Sequence, residues 1–189
     1  MANAQHTALI PLVDGFEEAE AIVTIDILRR AGIAVTVAGA TAAQVRSSHD
    51  VVVNTDRYYR DTEDEEFDAI VLPGGPGTSK LNEVGGLHER LRQQAASGRL
   101  VAAICAAPSV LAAAGLLKGK KAACYPSVED KLAAAGATVL HETVVTDGDI
   151  ITSRGVGTAL DFALAVAAHL QGAATAADVA RAIVYSPAG

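Results

Sequence analysis

The run Val101-Ala102-Ala103-Ile104-Cys105-Ala106-Ala107-Pro108 carries the most reactive side chain of this sequence. An uncharged stretch of small and β-branched residues ends in a cysteine, and a proline follows three positions later. The pattern predicts a buried parallel strand over Leu100–Ile104, a sharp turn, and a helix through the apolar stretch Ser109–Leu117. The first turn of that helix accepts Pro108 because its N–H would have no helical partner. Cys105 then stands where strand hands over to helix, where free N–H groups and the positive end of the helix dipole favour a thiolate over a thiol. The chemistry offered is nucleophilic attack. The commoner fate of a cysteine is to be a buried small hydrophobe; the position and the nearby carboxylates favour the nucleophile.

Those carboxylates are Glu17, Glu18 and Glu20, at the start of a predicted helix Glu17–Ala31 closed by Gly32. Acidic residues stabilise a helix N-terminus without any further role, and Glu18 is read that way. Glu17 and Glu20 are three apart on one face, so each raises the other's cost of ionising. If Glu20 enters a partly dry cleft beside Cys105, its carboxyl stays protonated, able to donate to a thiolate and later to carry protons.

A third element is the loop Pro73-Gly74-Gly75-Pro76-Gly77, which follows a buried strand over Ala69–Leu72. With no side chains at Gly74 and Gly75 to block approach, the Gly75 N–H and the Ala106 N–H are expected to form an oxyanion hole. A tight turn needing positive φ is the structural alternative, and both hold together. The candidate site is therefore Cys105 and Glu20 as catalytic pair, Gly75 and Ala106 as oxyanion donors, and Glu17 and Gly74 in support. No metal and no cofactor are expected. Lys80 follows Thr78-Ser79, which is not a P-loop, and Leu160 takes the third glycine position after Gly155-Val156-Gly157, which is not a dinucleotide fingerprint. The five histidines are scattered without metal-ligand spacing; His141, on a candidate strand, is read as a surface residue. Cys124 is read as a buried strand residue.

The elements that must position these residues follow from hydrophobic patterning. Strands are expected at Thr7–Val13, Ile33–Ala38, Ala69–Leu72 and Leu100–Ile104, and at Val51–Val53 paired with Val45. Short strands at Val139–Leu140, Val144–Thr146 and Asp149–Thr152 are expected around a hairpin at Asp147-Gly148. Helices are expected at Leu87–Ala96, after Ser127, at Thr158–Leu170 and at Ala176–Val184, and Asp61–Glu66 reads as a solvated acidic connector. Alternating strands and helices predict one α/β domain over residues 1–189 with a largely parallel sheet. In such sheets ligands bind at the carboxyl ends of strands, where Gly15–Glu20, Pro73–Gly77, Cys105–Pro108 and Arg154–Thr158 all fall.

The chain has 189 residues, half of them hydrophobic, and a net charge of −7. With no basic cluster, nucleic-acid binding through phosphates is excluded. Met1–Thr7 lacks the basic and apolar parts of a signal peptide, and Pro108, Ser109 and Gly115 interrupt the uncharged run Leu100–Leu117, so no membrane association and a cytoplasmic location are expected.

Six motifs in order resemble the ThiJ/PfpI superfamily, most closely its YajL-like protein deglycase branch: Gly15–Ala21, Thr24–Leu28, Val71–Gly75, Ala103–Pro108, Asp130–Leu132 and Thr152–Thr158. The resemblance spans nearly the whole chain. It implies a flavodoxin-like three-layer sandwich, akin to class I glutamine amidotransferases, and a homodimer. It also implies a reactive, readily oxidised Cys105, a protonated Glu20, and backbone donors from Gly75 and Ala106. The first predicted helix agrees with a dimer, since Ile22, Ile25 and Leu28 form one apolar stripe and Val23, Ile27 and Ala31 another, one for the sheet and one for a partner. The implied activity is a cofactor-independent deglycase or glyoxalase. It acts on small dicarbonyls such as methylglyoxal, or on early adducts in glycated proteins, and releases lactate. The alternative is a redox-responsive chaperone or oxidative-stress sensor in which Cys105 becomes a sulfenic or sulfinic acid. Peptidase members carry histidine directly after the cysteine; Ala106 stands there instead. Tyr125, His49 and Val156 depart from a histidine, an arginine and a proline of a human relative, and bear on the cleft and the interface.

Overall fold

The computed structural model describes residues 5–186. Along the chain the elements are β1 (Thr7–Leu12), α1 (Glu18–Arg30), β2 (Ala34–Gly39), β3 (Gln44–Arg46), β4 (Val52–Asn54), β5 (Arg57–Tyr58), β6 (Ala69–Leu72), α2 (Thr78–Leu81) and α3 (Leu87–Ala96). There follow β7 (Leu100–Ile104), α4 (Pro108–Ala113), β8 (Lys121–Ala122), α5 (Glu129–Ala134), β9 (Thr138–Val139), β10 (Val144–Asp147), β11 (Ile150–Ser153), α6 (Ala159–Gln171) and α7 (Ala173–Ala182).

The central sheet has the order β10-β11-β7-β6-β1-β2-β5, with only β10 antiparallel to its neighbour. Its middle strands are buried on both faces, and period-two alternation sorts their side chains into two cores. Leu100, Ala102 and Ile104 of β7 join Ile10, Val71 and Phe162 under α1 and α6. Val101 and Ala103 join Leu9, Ile70, Leu91 and Leu111 under α3 and α4. From β1 the chain builds β2 on one side, then returns to place β6 on the other. That reversal opens a crevice at the carboxyl ends of β1 and β6. The loops flanking it are stitched together, Glu17 N–H to Gly74 O at 2.9 Å and Gly77 N–H to Gly15 O at 2.8 Å.

The α/β sandwich with a largely parallel sheet is the expected one, and β3 pairs with β4 so that Val45 faces Val53. Four details differ from expectation. The helix after Cys105 ends at Ala113, because Gly115, at φ +81°, closes it while the Leu116 N–H reaches back to Leu111 O at 3.0 Å. Thr138–Val139 runs parallel to Lys121–Ala122 instead of joining the hairpin, since only Asp147-Gly148 supplies turn chemistry there. The acidic connector is anchored, with Thr62 buried and held by both terminal nitrogens of Arg90. In α1 both apolar stripes are largely buried within the chain, and Ile22 alone of them is left exposed. Among the described residues no helix is long and apolar enough to cross a membrane.

Candidate active site

Strict alternation along β7 would send residue 105 to the α3 side of the sheet. It does not go there. Cys105 has φ +65°, a conformation that costs a non-glycine residue about 1–3 kcal/mol, and the inversion packs its side chain against the α1 core. The main chain is pinned on both sides: its N–H donates to Ser153 O at 3.0 Å, and its carbonyl accepts from the Tyr125 N–H at 2.8 Å. The expected strand-to-helix position is therefore correct, with a strained backbone that no residue type announced.

Glu20, in the first turn of α1, is fully buried. Its Oε2 accepts the Gly74 N–H at 2.8 Å, while Oε1 has no partner of hydrogen-bond geometry among the described residues. The Cys105 thiol lies beside this carboxyl. Burial raises the Glu20 carboxyl from about 4.5 to about 7; the Gly74 N–H and Cys105 oppose the rise and the Glu17 charge adds to it. The sequence leads one to expect a protonated carboxyl facing the cysteine; at about 7, Glu20 is close to half protonated at neutral pH.

The thiol itself departs from expectation. Burial, then the charge and hydrogen bond of Glu20, push Cys105 up to about 12, and the N–H groups of Gly75 and Ala106 pull it only part of the way back. The six-residue helix α4 begins three residues downstream, too short and too far to outweigh an ionised carboxylate at hand. Glu20 and Cys105 therefore titrate as a pair, which takes up its one negative charge around neutral pH and resists a second.

The glycine loop is packed against both partners. A Cβ on Gly74 would sit 2.7 Å from the Cys105 Cβ and 2.9 Å from the Ala106 nitrogen. Gly75 has φ +101°, and a Cβ there would come within 2.5 Å of the Glu17 nitrogen. Glu17, Gly75, Cys105 and Ala106 all line one cleft of 710 Å³. The six candidate residues thus converge, with Glu20 and Gly74 beneath the cleft.

The opposite wall is Tyr125, Pro126, Ser127, Arg154 and Val156. Arg154–Thr158 is expected at this end of the sheet, whereas Pro126 and Ser127 are marked by the sequence only as the approach to and start of a short helix. Ala123, just before this wall, donates its N–H to the buried Thr152 hydroxyl at 2.9 Å. Cys124 is buried as expected, in extended chain after β8 rather than within a strand, and in the core under α3. His141 also lies outside any strand, largely exposed, 3.3 Å from Glu129.

Glu18, read as a helix-end carboxylate, has specific partners: His49 Nδ1 is 2.7 Å from its Oε1, and Ser48 Oγ reaches both Glu17 and Glu18. Glu17, Glu18 and His49 are, among the described residues, the set whose ligand atoms lie close enough to share a cation. His49 already pairs with Glu18.

Against this geometry the comparisons are consistent. Residues 6–169 match the model of the DJ-1/PfpI family. Protein dj-1beta of Drosophila melanogaster is 44% identical over 182 residues, covering 95% of this chain and 97% of that one. Its crystal structure superposes with a TM-score of 0.93 at 41% identity, covering 97% of this chain and all of that one. The glutathione-independent glyoxalase DJR-1.2 of Caenorhabditis elegans is 41% identical over 89% of this chain and 91% of its own. A deglycase of Pyrococcus abyssi is 35% identical over 79% of this chain and 90% of its own. With the fold, the motifs and these similarities in agreement, the chain belongs to the DJ-1/PfpI family.

Proposed function

We propose that this protein is a cofactor-independent enzyme acting on reactive 1,2-dicarbonyls, as a glyoxalase or as a deglycase of their early protein adducts. The observation that supports this most is the pairing of Cys105 with a buried carboxyl whose titration falls at about 7, beneath two backbone N–H groups. Names of the relatives from Caenorhabditis elegans and Pyrococcus abyssi point the same way.

The Cys105 sulfur adds to the aldehyde carbon of methylglyoxal. An S–C bond forms, the thiol proton passes to ionised Glu20, and the carbonyl electron pair becomes an oxyanion held by the N–H groups of Gly75 and Ala106. Glu20 returns the proton to that oxygen, then takes the proton of the former aldehyde carbon and delivers it to the neighbouring carbon, while the hydroxyl proton of the first carbon passes to the oxygen of the second. The first carbon is oxidised and the second reduced, with no outside oxidant. The product is a thioester of lactate on Cys105. Water breaks the C–S bond, restoring the thiol and releasing lactate. An early adduct joins the same route when Cys105 displaces its amine or thiol. Glu20 suits this work because a carboxyl titrating near the working pH both accepts and donates.

The redox-sensor reading uses the same atoms. The Gly75 and Ala106 N–H groups and a protonated Glu20 would hold the oxygens of a Cys105 sulfinate. A homodimer belongs to the proposal too, with the exposed Ile22, Val51 and Val52 as apolar contact residues and sedimentation as its check.

The deciding measurement is lactate formation from methylglyoxal, without glutathione, by wild type, Cys105→Ser and Glu20→Gln. Turnover by wild type that either change abolishes is the expected result. Activity that survives Cys105→Ser, or is missing in fully reduced wild type, removes the covalent route and leaves the sensor as the better account.

A further inference from the structure

Arg154 is, among the described residues, the one cationic side chain lining the Cys105 cleft, and it makes no hydrogen bond there. The closest carboxylate oxygen is Glu129 Oε1, 3.8 Å from Nη2 and beyond hydrogen-bond range; that oxygen also lies 3.3 Å from His141 Nε2. Only a third of the Arg154 side chain is exposed. A guanidinium presents five N–H donors and cannot shed its charge, and here its carboxylate partner is one long ion pair with Glu129, which leaves donors free for a ligand in the cleft.

Its placement relative to the cysteine is set by the sheet. Register pairs Ser153 of β11 with Ile104 of β7, so Arg154 and Cys105 leave adjacent parallel strands, about 4.8 Å apart, as neighbours. Glu17 lines the same cleft with the opposite charge. An anionic group entering the cleft is drawn to Arg154 and repelled by Glu17, a field that orients a two-ended ligand. The cleft volume of 710 Å³ lies in the range of roughly 300–1,000 Å³ typical of pockets for drug-sized ligands, well beyond what a three-carbon dicarbonyl fills.

We infer that the preferred substrates of this site are 2-oxoaldehydes whose carbon arm ends in a carboxylate, with the aldehyde at Cys105 and the carboxylate on Arg154. This rests on the enzyme reading above. Bond changes are the same as for methylglyoxal: the dicarbonyl and one water become a 2-hydroxy acid, here a dicarboxylate, and the distal carboxylate takes no part. Arg154 is a specificity residue, and Glu129 competes with the substrate for it.

The test compares kcat/KM for 4,5-dioxopentanoate and methylglyoxal in wild type, Arg154→Gln, Arg154→Lys and Glu129→Gln. Wild type should favour the anionic substrate by about tenfold or more, the scale of a charge-assisted contact that the neutral substrate lacks. Arg154→Gln should lower that ratio at least tenfold, chiefly through KM. Arg154→Lys should keep part of it, and Glu129→Gln should raise it. A wild-type ratio near one, or a ratio unchanged in Arg154→Gln, overturns the inference. A second readout needs no turnover: protection of Cys105 from iodoacetamide by succinate semialdehyde, which has an aldehyde and a carboxylate but no adjacent ketone. Protection in wild type that is lost in Arg154→Gln supports the anion site even if methylglyoxal yields no lactate, a result that would remove the enzyme reading alone. Protection equal in both proteins, or found in neither, counts against Arg154.

Discussion

Gly74 lies so close against Cys105 that a methyl group on it would come 2.7 Å from the cysteine Cβ, while its N–H holds Glu20 Oε2 at 2.8 Å. One residue thus fixes both members of the pair, and it does so because it has no side chain. The φ of Gly74 is not in the left-handed region, so contact and not backbone strain is what excludes a larger residue. Gly74→Ala should cost roughly 1–3 kcal/mol of stability through overpacking. Dicarbonyl turnover should fall by about tenfold or more, because sub-ångström displacement of reacting groups is expensive. Urea unfolding together with kcat measurement checks both.

The burial of Glu20 sets a pH dependence of stability. Below about pH 4.5 the carboxyl is protonated in folded and unfolded chains alike. Between 4.5 and about 7 the unfolded chain gives up its proton while the folded one keeps it, so stability falls as pH rises, by about 3 kcal/mol over the window. Glu20→Gln lacks this slope. Its stability relative to wild type should therefore climb from pH 4.5 to pH 8, as read by denaturant unfolding at a series of pH values. Parallel curves would mean that Glu20 is not the buried acid described.

The two cysteines should behave as separate species. Cys105 is partly exposed and Cys124 is buried, with its thiol pushed up to about 11 chiefly by desolvation. They pack into cores on opposite faces of the sheet. Alkylation of the native protein should label one site, lost in Cys105→Ser, and denaturant should expose the second. Mild peroxide should add oxygen to Cys105, ending near +32 Da for the sulfinate, instead of removing hydrogens to form a Cys105–Cys124 disulfide. Intact-mass spectrometry reads either outcome, and an internal disulfide would contradict the two-face arrangement.

Thr152 is fully buried in β11 and accepts the Ala123 N–H, two residues before the segment that forms the far wall of the cleft. Thr152→Val preserves shape but strands that N–H, which should cost about 1–3 kcal/mol. Amide exchange of Ala123 and its neighbours should speed up selectively, with β7 and β1 unaffected. A uniform change across the sheet would show that the hydroxyl acts on the whole domain.

Much of this was legible from residue order. The apolar runs Ala69–Leu72 and Leu100–Ile104, too uniform for a half-solvated strand, announce a doubly covered parallel sheet. The glycine loop after the first run, the Cys105 turn after the second, and carboxylates opening the first helix mark where ligands meet the strand ends. From these the α/β class, the end of the sheet that matters, and the set Cys105, Glu20, Gly75, Ala106, Glu17 and Gly74 all follow, because period, turn chemistry and helix capping are local properties.

Only the tertiary structure decided what those residues feel. Alternation along β7 predicts the wrong face for Cys105, and the inverted φ that corrects it is held by Ser153 and Tyr125, far away in sequence. Local reasoning made the thiol acidic from a helix end, whereas burial beside Glu20 makes it resist ionising, since desolvation and a neighbouring charge are sums over atoms that sequence distance does not reveal. The weakly paired guanidinium of Arg154 was likewise invisible: how closely a charge meets its partner depends on packing between elements, which the order of residues along one strand does not contain.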